Sequence, residues 1–360
     1  MKFVFINTGT ISQNAGIVRC LGLGTALVQL GHDVSIMIND DAQNVQAYGE
    51  VLNGIRFIYT KSGSGREQIS KTLHLAKLSE LDYVHCMGAG SSIFLPALIA
   101  KKLLGKKFKL VVDFEDRQSL LVPPVLEKRI LYYEKLAVKY ADKVICASNE
   151  LALLYKELYG IRAGYLPFAI DARRQIGRNV ATADRFTIGY LGNLIQPYRE
   201  QVDFLLATLP DMNDLQLIIA GKGEMLPVFQ QEVKRMGLED KVQFAGFVPD
   251  EKLNQLFGEL DACVFYLPDI PVNRYRCPNK AFMYASTGLP VVASKVGEVV
   301  RVLQDYPNAA FFDNDNPADF INAVAKAKTQ HAEVPDAFYE KNSWVARAKV
   351  YVDFITGKQA

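Results

Sequence analysis

Three cations crowd the start of one helical pattern. In "VNRYRCPNKAFMYASTGLPVVAS", residues 272–294, Arg274 and Arg276 precede Pro278 and Lys280 follows it. Pro278 suits the first position of a helix, and Ala281, Phe282, Tyr284 and Ala285 carry an apolar face forward to Thr287 and Gly288. A lysine in the first turn meets the positive end of the helix dipole, which disfavours it unless an anion is bound there. The chemistry this points to is recognition of a phosphate or diphosphate. Two more features fit. Arg199 begins a helical pattern after "GNLIQPY", and Gly221 and Gly223 flank Lys222 in a tight turn after an apolar run, where backbone amides can approach a ligand closely. Glycine turns are common in α/β folds, so each feature alone is weak. Their convergence is what carries the expectation.

The elements that would position these residues alternate along the chain. "KFVFIN", "DVSIMI", "IRFIYT", "DYVHC", "KLVVDF" and "KVICAS" read as strands. The patterns "GIVRCLGLGTALVQLG", "REQISKTLHLAKLSEL", "SSIFLPALIAKKLLG" and "VLEKRILYYEKLAVKYA" lie between them at helical spacing. Such alternation predicts a parallel sheet covered by helices on both faces. After a polar, basic stretch, "ARRQIGRNVATADR", it resumes with "FTIGYLG", "LQLIIAG", "VQFAG", "ACVFYL", "LPVVAS" and "AAFF". The expected architecture is α/β, two Rossmann-like doubly wound domains. Open sheets bind ligands outside the carboxyl ends of their strands, so two such domains facing one another would form a cleft.

Bulk properties narrow the function. A chain of 360 residues suits two domains. With 41 Lys and Arg against 39 Asp and Glu it lacks the basic footprint of a nucleic-acid binder, and no nucleic-acid partner is expected. The N-terminal apolar run is too short for a signal peptide, and no stretch approaches a membrane span. Cys20, Cys86, Cys146, Cys263 and Cys277 form no C-x-x-C pair, which predicts free thiols in a cytoplasmic protein.

The ordered set of motifs resembles the retaining glycosyltransferases of GT-B fold, family 4 type. "LGTALVQLGHDVSIMI" is similar to the family's first helix and Gly-His turn, and "YADKVICASNELALLYKELYG" to the end of its first domain. "FTIGYLGNL", "LQLIIAGKGE", "KVQFAGFVPDEKL" and "KAFMYASTGLPVVAS" follow in the family's order, and "NSWVARAKVYVDFI" resembles its terminal helix. The implied domains are an acceptor-side domain at 1–172, a linker at 173–184, a donor domain at 185–340 and a helix at 341–360 that returns to the first domain.

The resemblance implies transfer of a sugar from a nucleotide diphosphate donor to a saccharide or lipid-linked acceptor, in polysaccharide or glycoconjugate synthesis. No protein nucleophile and no metal or other cofactor are implied; the D-x-D in "DNDNPAD" falls where the family has a plain loop and helix cap. The donor set comprises Asn193, Arg199, Gly221, Lys222, Lys280, Met283 and Glu298. Asn193 and Arg199 replace the family's usual Arg and Lys. Met283 and Tyr275 stand where it places two glutamates eight positions apart, and a thioether is a poor partner for ribose hydroxyls. Glu298 or Glu224 could hold the ribose instead, the diphosphate could carry most of the grip, or catalysis could be lost. Asp116, in "VVDFEDRQSL", aligns with the family's His-Asp or Arg-Asp position and is the catalytic candidate on the acceptor side, with Asp113 read as structural. Gly9 and Gly16 bracket a loop whose Asn14, Ser12 and Gln13 could bind a sugar hydroxyl, and His85 could face the same site.

The lysines of "IAKKLLGKKFK" read first as a solvated helix end, and "LLVPPVLEKRILYY" adds apolar and basic residues after the Asp116 strand. They also suit anionic lipid headgroups, which would give peripheral contact at the inner membrane face. The rivals are a catalytically impaired nucleotide- or sugar-binding protein of the same fold and a sugar-nucleotide epimerase. A nicotinamide dehydrogenase would need G-x-G-x-x-G, and "GTISQNAG" lacks that spacing.

Overall fold

The computed structural model describes residues 1–11, 16–177 and 185–358. Asn14, Ser12 and Gln13, with the later part of the linker, lie outside the described residues. The chain divides into two compact units. One comprises Met1–Asp171, Tyr275–Cys277 and the segment from Glu340 onward; the other comprises Ala172–Arg274 and Pro278–Tyr339.

The first unit holds an eight-stranded sheet. Its strands are β1 (Lys2–Ile6), β2 (Asp33–Asn39), β3 (Val51–Leu52), β4 (Ile55–Thr60), β5 (Tyr83–Met87), β6 (Lys109–Phe114), β7 (Lys143–Cys146) and β8 (Gly164–Tyr165). They lie in the order β3-β4-β2-β1-β5-β6-β7-β8, parallel except where β3 meets β4. The inner strands are buried on both faces, so they read as continuous apolar runs. One layer of core joins Val4, Ile6, Val84, Val112 and Cys146 to Phe94, Ala97 and Tyr155 of the covering helices. The terminal helix, Trp344–Thr356, packs on the first helix, Gly16–Gln29. Gly22 makes this fit possible, since a Cβ there would lie 2.1 Å from the Trp344 ring. The indole of Trp344 then donates to Asp171 at 2.6 Å.

The second unit holds a six-stranded parallel sheet. β9 (Phe186–Leu191), β10 (Leu215–Ala220), β11 (Val242–Gly246), β12 (Ala262–Phe265), β13 (Val291–Ser294) and β14 (Ala309–Phe312) lie in the order β11-β10-β9-β12-β13-β14. Stacked rings of Phe204, Tyr266 and Phe312 join its strands to a covering helix. In each sheet the order turns back beside the first strand of the unit, between β1 and β5 and between β9 and β12. Those switch points, at the carboxyl ends of the strands, are where open α/β sheets place ligands.

Candidate functional site

The loops after β9 and β10 lie against each other backbone to backbone. Gly192 donates to Ala220, Leu194 to the Lys222 carbonyl, and Gly221 to the Gly246 carbonyl at 2.7 Å. A Cβ on Gly221 would fall 1.8 Å from the Gly192 carbonyl oxygen, and one on Gly223 would fall 2.0 Å from that of Leu194. No side chain fits at either position, so the glycines of "AGKGEM" are demanded by this crossing. It leaves a small cavity of about 210 Å³ at the strand ends, lined by Asn193, Gly221, Lys222, Phe247, Lys280 and Met283 among others.

The two lysines of the cavity are held differently. Lys280 donates to the Leu191 carbonyl at 2.9 Å and lies over the rings of Tyr190 and Phe265. Tyr284, one turn on, accepts from the Leu191 amide at 3.0 Å. Together they fasten the Asn279–Ala285 helix to the end of β9. Lys222 instead rests over the exposed ring of Phe247, 4.5 Å from its centre.

The crowd of cations expected at this helix disperses. Pro278 is the residue before the helix, which begins at Asn279. Arg274 makes two bonds to Asp269, at 2.6 and 2.9 Å. Arg276 belongs with the first unit, where it approaches Asp116 at 3.5 Å. Arg199 is taken by Asp203 one turn along its own helix, at 2.9 Å, and does not line the cavity. Glu298 is 1% exposed at the start of the Glu298–Leu303 helix and does not line it either. Glu224, at the surface, accepts from the Gln196 amide. The structure therefore joins Asn193, Gly221, Lys222, Lys280 and Met283, and separates Arg199 and Glu298 from them.

In the first unit the acidic stretch after β6 divides by environment. Asp113 is fully buried and takes a forked bond from Arg19, Nε to Oδ2 at 2.7 Å and Nη2 to Oδ1 at 3.1 Å. Arg19 also donates to the Leu166 carbonyl. Burial alone would raise the Asp113 carboxyl, but Arg19, aided by His85, outweighs it and holds the group below its ordinary range. His85 is fully buried as well. Its Nδ1 meets the Tyr351 hydroxyl at 2.9 Å, its Nε2 lies 3.3 Å from Asp113, and burial holds its pKa down. His85 thus joins the terminal helix to the sheet and has no surface to offer an acceptor. Glu115 is half-buried. Burial first, then the charges of Asp113 and Asp116, push its carboxyl up to about 8 against a lowering by Arg19.

Gly16 opens the first helix. Before it, Thr8 donates to Glu67, which also accepts from the buried Lys71 at 2.5 Å, and Lys71 donates in turn to the Asn7 carbonyl. Asn44 holds the Gly9 carbonyl and the Ile11 amide. The described part of the loop after β1 is thus strapped from two sides.

Sequence reasoning missed Arg19, Glu115 and Phe247. A lone arginine in the apolar face of "GIVRCLGLG" was the available signal for Arg19; nothing local distinguishes the other two. The acidic run 313–319 is engaged within itself and nearby: Asp313 pairs with Lys295, Asp315 accepts from Tyr266, and Asn316 caps the Pro317–Thr329 helix. Two larger cavities, of about 600 and 580 Å³, lie where β13 and β14 and where β7 begin. Those are the amino ends of the strands, away from the switch points.

Two family models match. Residues 18–174 match "Glycosyltransferase Family 4" and residues 185–329 match "Glycosyl transferases group 1". An uncharacterized glycosyltransferase of Methanocaldococcus jannaschii is 26% identical over 93% of this chain and 92% of its own length. The mannosylfructose-phosphate synthase of Agrobacterium fabrum is 24% identical over 85% of this chain and 76% of its own. Among solved structures, Anabaena HepE in complex with UDP-glucose superposes with a TM-score of 0.76 at 16% identity, covering 99% of this chain and 100% of that one. The sucrose-phosphate synthase of Thermosynechococcus elongatus does so at 0.75 and 17%, with 99% and 100% covered. With a family model on each unit and relatives aligned along most of its length, the chain belongs to the group 1 and family 4 glycosyltransferases.

Proposed function

We propose that this glycosyltransferase takes a sugar from a nucleoside diphosphate donor held in the cavity at the ends of β9 and β10. The observation that carries this is the backbone crossing that Gly221 and Gly223 permit, which puts peptide groups and two lysines around one small cavity at the strand ends, beside the switch point. Lys222 can leave the Phe247 ring for a phosphate, whereas Lys280 is largely committed to the end of β9 and presents a fixed charge. The Phe247 ring, 63% exposed at the mouth, offers a stacking surface for a base. Met283 gives the ribose an apolar neighbour in place of a carboxylate. HepE is solved in complex with UDP and glucose and with UDP-glucose, and this supports the donor class.

The acceptor, a saccharide or a lipid-linked sugar, is taken by the first unit near Asp116. Transfer proceeds with retention, without a resident metal or other cofactor, and in the cytoplasm, where five buried free thiols are at home. A second reading, a binder with impaired catalysis, is favoured by two observations: Met283 lines the cavity, and Asp116 already faces Arg276.

The test is a thermal-shift series with nucleosides, nucleoside diphosphates and sugar nucleotides, followed by NMR of the product anomer for any sugar nucleotide that stabilises. A ligand at a hundred times its Kd should add about 2.7 kcal/mol. Lys222→Ala should weaken diphosphate binding and spare nucleoside binding, and Met283→Glu should tighten binding or leave it unchanged. Stabilisation by none of these ligands would sink the donor assignment; stabilisation without any product would favour the second reading.

A further inference from the structure

We infer that one face of the first unit docks on an anionic phospholipid bilayer. Helix Pro124–Tyr140 turns Glu134 and Ala137 inward and leaves a long stripe in solvent. That stripe, at helical spacing, is Val125, Lys128, Tyr132, Lys135 and Lys139, with Arg129 at its edge. Val125 is 84% exposed and Tyr132 61%. Leu120 and Leu121, ahead of the helix, and Leu126, beside Val125, are exposed as well, so five large apolar side chains stand in solvent within one short segment. A soluble surface seldom leaves such a group bare without a use for it.

The surroundings extend the same character. Lys102, at the end of the Phe94–Lys102 helix, lies over the Tyr140 ring, as does Lys139. Leu103 and Leu104, 77% and 49% exposed, follow directly. Of the helix's two acidic groups, Glu134 is buried and accepts from Tyr159 at 2.6 Å, while Glu127 is exposed roughly 100° around the helix from Lys128. Beyond the helix, Asp142 is paired with Lys101. Apolar side chains interleaved with lysines and an arginine along one helix face match a bilayer interface: the apolar groups enter the boundary of the acyl chains while the cations stay with the phosphates. A neutral bilayer would leave the cations unmatched, and an acidic protein would leave the apolar groups unmatched. None of the described helices is long and apolar enough to cross a membrane, so this contact lies on the surface. The docking does not depend on the donor assignment and can be measured without any nucleotide.

The experiment uses the full chain and two kinds of vesicle, phosphatidylcholine alone and phosphatidylcholine mixed with phosphatidylglycerol. Sedimentation should show binding to the mixed vesicles, weaker binding to the neutral ones and loss of binding in high salt. Lys128→Glu with Lys135→Glu should weaken binding about thirtyfold or more, at roughly fivefold per lysine. Val125→Asp should weaken it as well, and neither variant should change the melting temperature, because these side chains are exposed. Tyr132→Trp supplies a probe whose emission should move to the blue with mixed vesicles. No binding of the native chain to mixed vesicles, or equal binding by native chain and variants, overturns the proposal. So does a dimer in light scattering that Val125→Asp abolishes, which would assign this face to a second copy of the chain.

Discussion

Glu115 departs from the ordinary behaviour of a carboxyl. Its carboxyl is pushed up to about 8, so between about pH 4.5 and 8 the unfolded chain has released a proton that the folded protein keeps. Stability from this group is complete below that window and is lost as the pH rises through it. His85 works in the opposite sense, because its lowered pKa makes stability fall as the solution becomes acidic. Glu115→Gln isolates the first effect. The variant should match the native protein near about pH 5 and melt higher than it near about pH 9, by a margin that grows steadily between. A margin that stays flat would mean the carboxyl is ionised throughout. The neighbouring charges show why local sequence could not supply the site in full. Arg199, Arg274 and Arg276 look equivalent as cations near helix starts, yet each takes its own carboxylate, Asp203, Asp269 and Asp116. Which partner a flexible guanidinium selects depends on tertiary packing. Glycines 221 and 223, in contrast, announced themselves, because close backbone approach tolerates no other residue.

At the scale of the element, the strands were legible because parallel strands buried on both faces are uninterrupted apolar runs. β3 and β8 escaped notice. Each is two residues long, too short to show any period, and both lie at the edges of the sheet. The loops after β9 and β10 carry the sharpest element-level prediction. Gly221→Ala puts a methyl 1.8 Å from the Gly192 carbonyl oxygen, so one loop must move. The unit should lose about 1–3 kcal/mol, as overpacked sites do, and nucleoside diphosphates should no longer stabilise it. Calorimetry with and without ligand checks both effects. An alanine variant that keeps its stability and its ligand response would show that the crossing is looser than its geometry.

For the whole molecule, two runs of strand-helix alternation revealed two sheets, and the ordered motifs revealed the family. The sequence was silent on substrate because specificity depends on which side chains meet at the cavity mouth. Phe247, at the end of "FAGF", has no neighbour in sequence that marks it as exposed. The architecture also sets an order of events in the cell. Trp344 fills the space left by Gly22, and Tyr351 reaches His85, so the first unit is built from the opening residues and from some of the last. On a ribosome, where folding usually runs from the first domain onward, that unit must wait. Its opening sheet emerges early, with the Trp344 seat empty and the His85 layer uncovered, until residues 344–356 leave the exit tunnel. A chain truncated after Tyr339 should therefore keep a second unit that melts cooperatively and leave the first protease-sensitive, and a peptide of residues 340–358 added in trans should restore protection. Equal protection of the truncated and complete chains would mean the first unit closes without its last helix. The waiting interval exposes apolar surface for as long as the second unit takes to be synthesised, which makes this chain a client for any chaperone that holds nascent polypeptides.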